Sequence, residues 1–160
     1  EPGGAGREPG GAGQESGSAG TAQDSAGTAG GRSVKSIGGT EFGRNVADYA
    51  LQFVGGPYQY GGSDPHTGVD CSGFTRYVYQ HGAGITLNRS SRGQALQGKE
   101  ISADQMRPGD LLFYGSKSNI DHVAMYIGEG KIVHASTERT GITISNWNYR
   151  NPVKIVNVLG

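Results

Sequence analysis

Asp70-Cys71-Ser72-Gly73-Phe74 decides how this chain is read, because it holds the one thiol in 160 residues. Ahead of it runs Gly55-Gly56-Pro57-Tyr58-Gln59-Tyr60-Gly61-Gly62-Ser63-Asp64-Pro65, so dense in Gly and Pro that irregular backbone is expected. From Cys71 onward, Phe74, Tyr77, Val78 and His81 recur at helical spacing, and Gly82 follows as the expected C-cap. Cys71 is therefore expected in the first turn of a helix. There the unpaired N–H groups and the helix dipole favour an anion, so the thiol pKa is expected to fall.

A nucleophilic cysteine needs a base, and the chain offers four histidines. Asp121-His122-Val123-Ala124-Met125-Tyr126-Ile127 and Lys131-Ile132-Val133-His134-Ala135 flank Gly128-Glu129-Gly130, which predicts a β-hairpin with a histidine on each strand. Side chains alternate faces along a strand, so His122 and His134 share a face only if the loop holds an odd number of residues. A three-residue loop with Gly130 left-handed meets that condition and sets Ala124 opposite His134. The imidazoles then become diagonal neighbours, roughly 7–8 Å apart at the backbone. A two-residue loop would turn them to opposite faces.

Cysteine at a helix start, histidine on a strand and a second polar residue to orient that histidine is the logic of a thiol hydrolase. The blocks Tyr58-Gln59-Tyr60-Gly61-Gly62, Asp70-Cys71-Ser72-Gly73-Phe74, Pro108-Gly109-Asp110-Leu111-Leu112-Phe113, His122-Val123-Ala124-Met125-Tyr126-Ile127-Gly128 and Val133-His134-Ala135-Ser136 stand in a telling order. Residues 44 to 160 resemble, through these blocks, the NlpC/P60 cysteine peptidases. The resemblance implies a papain-like α+β fold, with N-terminal helices packed on a small antiparallel sheet and the nucleophile at a helix N-terminus. It implies a bacterial protein, secreted or associated with the cell wall, that needs no cofactor. The implied substrate is a peptidoglycan stem peptide, cut between D-isoglutamate and a diamino acid, either meso-diaminopimelate or L-lysine. By the same resemblance Tyr58 lines the site and polarises substrate, while Asp70 and Ser72 contact the free amino end of the stem peptide. For Asp70, capping the helix is the alternative reading. Tyr60 stands where the family more often has tryptophan and is expected to pack; Asn88 stands where the family usually has proline.

Composition sets the frame. Formal charge is zero overall, yet residues 1 to 31 hold one basic and four acidic side chains and the rest thirteen basic and ten acidic. That surplus is too small and scattered for a nucleic-acid face. A single cysteine excludes an intrachain disulfide, and no apolar run approaches the length of a membrane span. A processed form or an excised fragment is expected, since the chain begins with Glu1. Residues 1 to 28 carry a decaying seven-residue repeat without large apolar positions, so 1–39 is expected to be a flexible Gly/Ala/Ser-rich linker, with other domains of a longer chain possible upstream. Residues 40–160 are expected to form one catalytic domain, acting as a monomer.

Phe42, Val46, Tyr49, Ala50, Phe53 and Val54 predict a first helix, stopped at Gly55. Ser91 with Gln94 reads as a capping box for a short helix, and Arg89 just before it is a candidate contact for a substrate carboxylate. Short strands are expected at 111–114, 141–145 and 153–158 in addition to the hairpin. His66 is read as a solvated loop residue, and His81 as a cation suited to a helix end.

The chemistry expected is acyl transfer to water through a thioester, with Cys71 as nucleophile, His122 as base and His134 holding its tautomer. The Cys71 N–H and, by resemblance, the Tyr58 hydroxyl would meet the oxyanion. Three other readings stand beside it. Cys71, His122 and His134 could ligate zinc with an open position; the fold could be a catalytically inactive wall-binding module; or it could run thiol amidase or acyltransferase chemistry.

Overall fold

The computed structural model describes residues 38–159. The linker expected over 1–39 lies outside them, apart from Gly38 and Gly39, which begin the first helix.

Helix α1, Gly38–Leu51, buries Val46, Tyr49 and Ala50 at the spacing that predicted it, with Ala47 beside them; Phe42 is exposed, and the helix ends before Phe53 and Val54, the latter also exposed. It crosses the Pro108-Gly109 turn so closely that a Cβ on Gly43 would sit 2.1 Å from the Pro108 carbonyl oxygen. The Gly/Pro-rich stretch that follows holds only a minimal antiparallel pair, β1 (Ser63–Asp64) and β2 (Gly68–Val69). Helix α2, Cys71–Ala83, then begins at the thiol as expected. Its C-cap is Gly84, left-handed at φ 70°, and not Gly82. Gly82 stays inside the helix, where a Cβ would come 3.2 Å from the Tyr49 ring, so its use is to let α1 close on α2. The short α3, Ser91–Gln94, is capped by Ser90, whose hydroxyl accepts the Gly93 N–H at 3.0 Å. The expected capping box on Ser91 is not formed: the cap is Ser90, and Gly93, three residues on, has no side chain to complete a box. Gln94 is wholly buried: its amide donates to the carbonyls of Ser72 at 3.0 Å and Asn88 at 2.8 Å and accepts the Thr75 hydroxyl at 2.6 Å.

The rest of the chain builds one six-stranded antiparallel sheet from β3 (Lys99–Glu100), β4 (Leu111–Ser116), β5 (Asn119–Gly128), β6 (Lys131–Thr137), β7 (Gly141–Asn146) and β8 (Lys154–Asn157), in the order β3-β8-β4-β5-β6-β7. The helices cover one face. Leu111, Phe113, Val123, Met125 and Val133 meet Val46, Phe74 and Val78 there. Their strand neighbours Leu112, Tyr114, Ala124 and Ile132 point to the other face together with Ile155 of β8, and Met106 and Trp147 pack against them there. Period-two alternation on a sheet buried on both sides explains why β4 reads as a continuous apolar run.

The hairpin of β5 and β6 differs from expectation in an instructive way. Gly128 pairs with Lys131, leaving a two-residue turn at Glu129 and Gly130, both left-handed at φ 51° and 75°. One residue earlier the register slips between Tyr126 and Gly128, so Ile127 bulges out of the ladder. Turn plus bulge restores the odd count. The pairs Met125 with Val133 and Tyr126 with Ile132 are those that set Ala124 opposite His134. The ladder between β5 and β6 stops at Met125 and Val133, although β4 stays paired to β5 as far as Asn119 and β7 to β6 as far as Thr137. The sheet thus opens between β5 and β6, beside His122 and His134.

Candidate active site

The head of α2 is tied down from several sides. Asp70, in extended backbone at φ −94°, accepts the Gly73 N–H on Oδ1 at 2.7 Å and the Gly61 N–H on Oδ2 at 3.1 Å. Arg89 grips the same carboxylate with both Nη atoms, at 3.1 and 3.2 Å, and also donates to the Ser72 hydroxyl at 2.9 Å and the Gly62 carbonyl at 3.0 Å. Asp70 is thus a helix cap and the hub of a charge-assisted network. Arg89, expected to point at a substrate carboxylate, is aimed at the chain's own groups. A Cβ on Gly73 would meet the Gly62 carbonyl oxygen at 2.3 Å, so glycine is what lets the loop lie on the helix end.

Cys71 is partly exposed at this end. Its sulfur lies within reach of the Val123 N–H, from the residue after His122, and the backbone N–H groups at the helix head favour the thiolate. The expectation of a lowered thiol pKa is corrected: burial pushes it up, and the Asp70 charge adds to the rise against the pull of those N–H groups. Desolvation outweighs the helix end.

Across the opening in the sheet, His122 Nε2 and His134 Nδ1 lie 2.7 Å apart, and His134 Nε2 lies 3.0 Å from the Ser145 hydroxyl on β7. Both rings are buried, at 8% and 1% exposure. Burial lowers the His122 pKa to about 3, with His134 and Arg150 adding to the fall; burial alone lowers that of His134 to about 4. Both imidazoles are therefore neutral at neutral pH. Tyr149 packs edge-on against His134 with ring centroids 5.4 Å apart, and Tyr114 stacks obliquely on His122 at 5.8 Å. Arg150 lies over the Tyr114 ring at 5.6 Å and pairs with Asp121 at 3.1 Å, bracing the turn after β7.

Tyr58 is half-buried and bridged to Val69, two residues before the thiol. Its phenol is raised by burial and then by the Cys71 charge, and the Tyr149 phenol, also raised chiefly by burial, feels the same sulfur. Both hydroxyls thus lie within electrostatic reach of the thiol. Tyr60, expected to pack, is 83% exposed. His66 is more engaged than a solvated loop residue: its Nδ1 meets buried Asp64 at 2.9 Å and its ring packs edge-on against Phe53. His81 stacks on Tyr77 at 4.0 Å, and burial lowers its pKa, which corrects the expected cation.

The facing nitrogens of His122 and His134 are hydrogen-bonded to each other. Among the described residues no group of three or more His, Cys, Asp or Glu side chains is disposed to hold a metal ion, and no helix is long and apolar enough to cross a membrane. Sequence reasoning missed Tyr149, which carries no signal, and misplaced two others: Gln94 was read as part of a helix cap and Ser145 as one residue of an alternating strand.

The NlpC/P60 family model matches residues 55–156, which span the whole of this constellation. The chain belongs to the NlpC/P60 family. It is 38% identical over 109 residues to the bifunctional muramidase/DL-endopeptidase CwlT of Bacillus subtilis, covering 66% of this chain and 33% of that protein. It is 37% identical over 102 residues to the γ-DL-glutamyl hydrolase of the same organism, covering 62% of this chain and 24% of the relative. The chain thus spans a third or less of these curated relatives. Among solved structures, the NlpC/p60 domain of the peptidoglycan hydrolase SagA superposes with a TM-score of 0.67 at 36% identity, covering 72% of this chain and 97% of that domain. The α+β arrangement of helices on an antiparallel sheet is the family's own.

Proposed function

We propose that this NlpC/P60 chain is a cysteine endopeptidase that hydrolyses peptidoglycan stem peptides between D-isoglutamate and a diamino acid. The observation that carries the reading is the convergence at the sheet opening. The Cys71 sulfur lies within reach of the Val123 N–H there, and the adjacent His122 heads a hydrogen-bonded chain through His134 to Ser145. The likeness to a peptidoglycan hydrolase supports the substrate, and the relatives named DL-endopeptidase and γ-DL-glutamyl hydrolase favour a bond at a D-glutamyl residue.

In the resting site the thiol keeps its proton and His122 is neutral, as burial dictates for both. Proton transfer then accompanies attack: sulfur adds to the amide carbonyl as His122 takes the S–H proton on Nδ1, the ring nitrogen not bonded to His134. The Cys71 N–H at the helix head and the Tyr58 hydroxyl meet the oxyanion. His122 returns the proton to the leaving amine of the diamino acid. A water, deprotonated by His122, then hydrolyses the thioester and frees the D-isoglutamyl carboxylate. Asp70 and Ser72, both tied to Arg89 at the helix head, are the groups nearest the thiol to meet the amino end of the stem peptide. This function places the protein at the bacterial cell wall, outside the membrane.

The test is mass spectrometry of defined L-alanyl-D-isoglutamyl-diamino-acid peptides after incubation with the intact chain, beside the Cys71→Ala variant. The expected result is release of the diamino-acid fragment by the native chain only. Cleavage by the variant removes Cys71 from the mechanism. Binding of wall fragments without cleavage identifies an inactive wall-binding module, and a product cut at another amide identifies a thiol amidase.

A further inference from the structure

We infer that Ser145 is the terminal acceptor of a one-way hydrogen-bond chain and acts as a positioning residue that holds His134 in the tautomer the reaction needs. The inference deepens the peptidase reading and rests on it for the thiol end of the chain.

The polarity of the chain follows from the proposed reaction. His122 Nδ1, the ring nitrogen not bonded to His134, must be bare in the resting site if it is to take the thiol proton. A neutral imidazole carries one N–H, which for His122 is then on Nε2. Nε2 lies 2.7 Å from His134 Nδ1, which must accept, and His134 therefore carries its own proton on Nε2. That N–H belongs to a ring only 1% exposed, and the group in reach of it is the Ser145 hydroxyl at 3.0 Å. Ser145 comes from the neighbouring strand: Thr143 pairs with His134, and Ser145, two residues on, shares its face.

The alternative tautomer shows why the acceptor matters. With the proton on His134 Nδ1, His122 Nε2 becomes the acceptor, its proton moves to Nδ1, and the nitrogen facing the thiol can no longer take a proton. Replacing Ser145 by alanine leaves a buried Nε2–H without an acceptor in the productive tautomer, and only a bare lone pair in the unproductive one. A bare donor is the costlier of the two, so the population shifts toward the unproductive form. The shift matters most when His122 is cationic and pushes its Nε2–H onto His134, because the chain then polarises toward Ser145.

The experiment uses the intact chain with 15N-labelled histidine, in native, Ser145→Ala and Ser145→Thr forms. Nitrogen chemical shifts and long-range couplings report which His134 nitrogen bears the proton. Stem-peptide turnover gives kcat and KM. The expected native state is His134 protonated on Nε2. In Ser145→Ala the proton is expected to move toward Nδ1, with kcat down roughly fivefold to tenfold, the size of one neutral hydrogen bond, and KM unchanged. Ser145→Thr is expected to restore both. A native His134 protonated on Nδ1, or an alanine variant with native kcat, overturns the inference. The tautomer measurement needs no substrate and no variant, so it decides the inference even if Ser145→Ala fails to fold. Absence of stem-peptide turnover by the native chain would count against the peptidase reading alone.

Discussion

Acid titration of the folded domain tests the burial of the imidazole pair directly. An unfolded histidine titrates at about 6.5. In the fold the two rings, 8% and 1% exposed, titrate at about 3 and about 4. Above about pH 6.5 both states leave the rings neutral and their full contribution to stability is present. As pH falls from there toward about 4, the unfolded chain binds two protons that the fold refuses, and stability is lost. Two such groups give a limiting slope of about 2.7 kcal/mol per pH unit. Over two units that loss, on the order of 5 kcal/mol, rivals the whole stability of an ordinary domain. His134→Asn removes one titrating ring while leaving an amide that can still face His122, so the slope should fall by about half. Urea unfolding followed by circular dichroism at pH 7, 6, 5 and 4.5 measures it for both proteins. Asp48 and Asp110, both raised by burial, push the other way at the acid end, equally in both chains, and drop out of the comparison. Parallel stability curves for the two proteins would refute the reasoning.

Gly73→Ala drives a Cβ to 2.3 Å from the Gly62 carbonyl oxygen, which also accepts from Arg89. It should cost about 1–3 kcal/mol and lower turnover through the displaced Tyr58 loop, read by unfolding midpoint and peptide release. Gln94→Leu leaves the Ser72 and Asn88 carbonyls without its amide beneath the site. A loss of about 2–4 kcal/mol in urea unfolding is expected, and an unchanged midpoint would show that this polar tie carries no weight. Glu129→Asn relieves a left-handed residue at φ 51° with a side chain suited to that turn. A rise in Tm corresponding to about 0.5–1 kcal/mol is expected; a fall would mean that the Glu129 side chain matters more than its backbone.

What the sequence made legible is local. Helical spacing after Cys71, alternation along the hairpin and glycine stops mark elements whose periodicity is imposed by burial on one side. The misses are of another kind. Gly82 looked like a cap because glycine usually stops a helix, yet here Tyr49 from another helix uses the gap. The thiol pKa was read from the helix end alone, while burial against the sheet sets its direction. The bulge at Ile127 leaves no mark in composition, so a correct register was reached through the wrong loop length. Ser145 and Tyr149 enter the site from β7 and the turn behind it, and a serine on an alternating strand looks like any solvent-facing residue until its neighbour is known. Arg89 shows the converse: its type suggested a ligand, and only tertiary placement gave it Asp70.

Every α-helix of the described chain comes from residues before 95, and the six-stranded sheet comes entirely from residues 99–157. The sulfur belongs to the first half and the imidazoles to the second. Neither half alone holds the proposed chemistry, which arises only when they dock. A chain still emerging from the ribosome, or threaded unfolded through a pore, would therefore be harmless to amide bonds. Two separately expressed halves mixed together would report their own reassembly by regaining turnover.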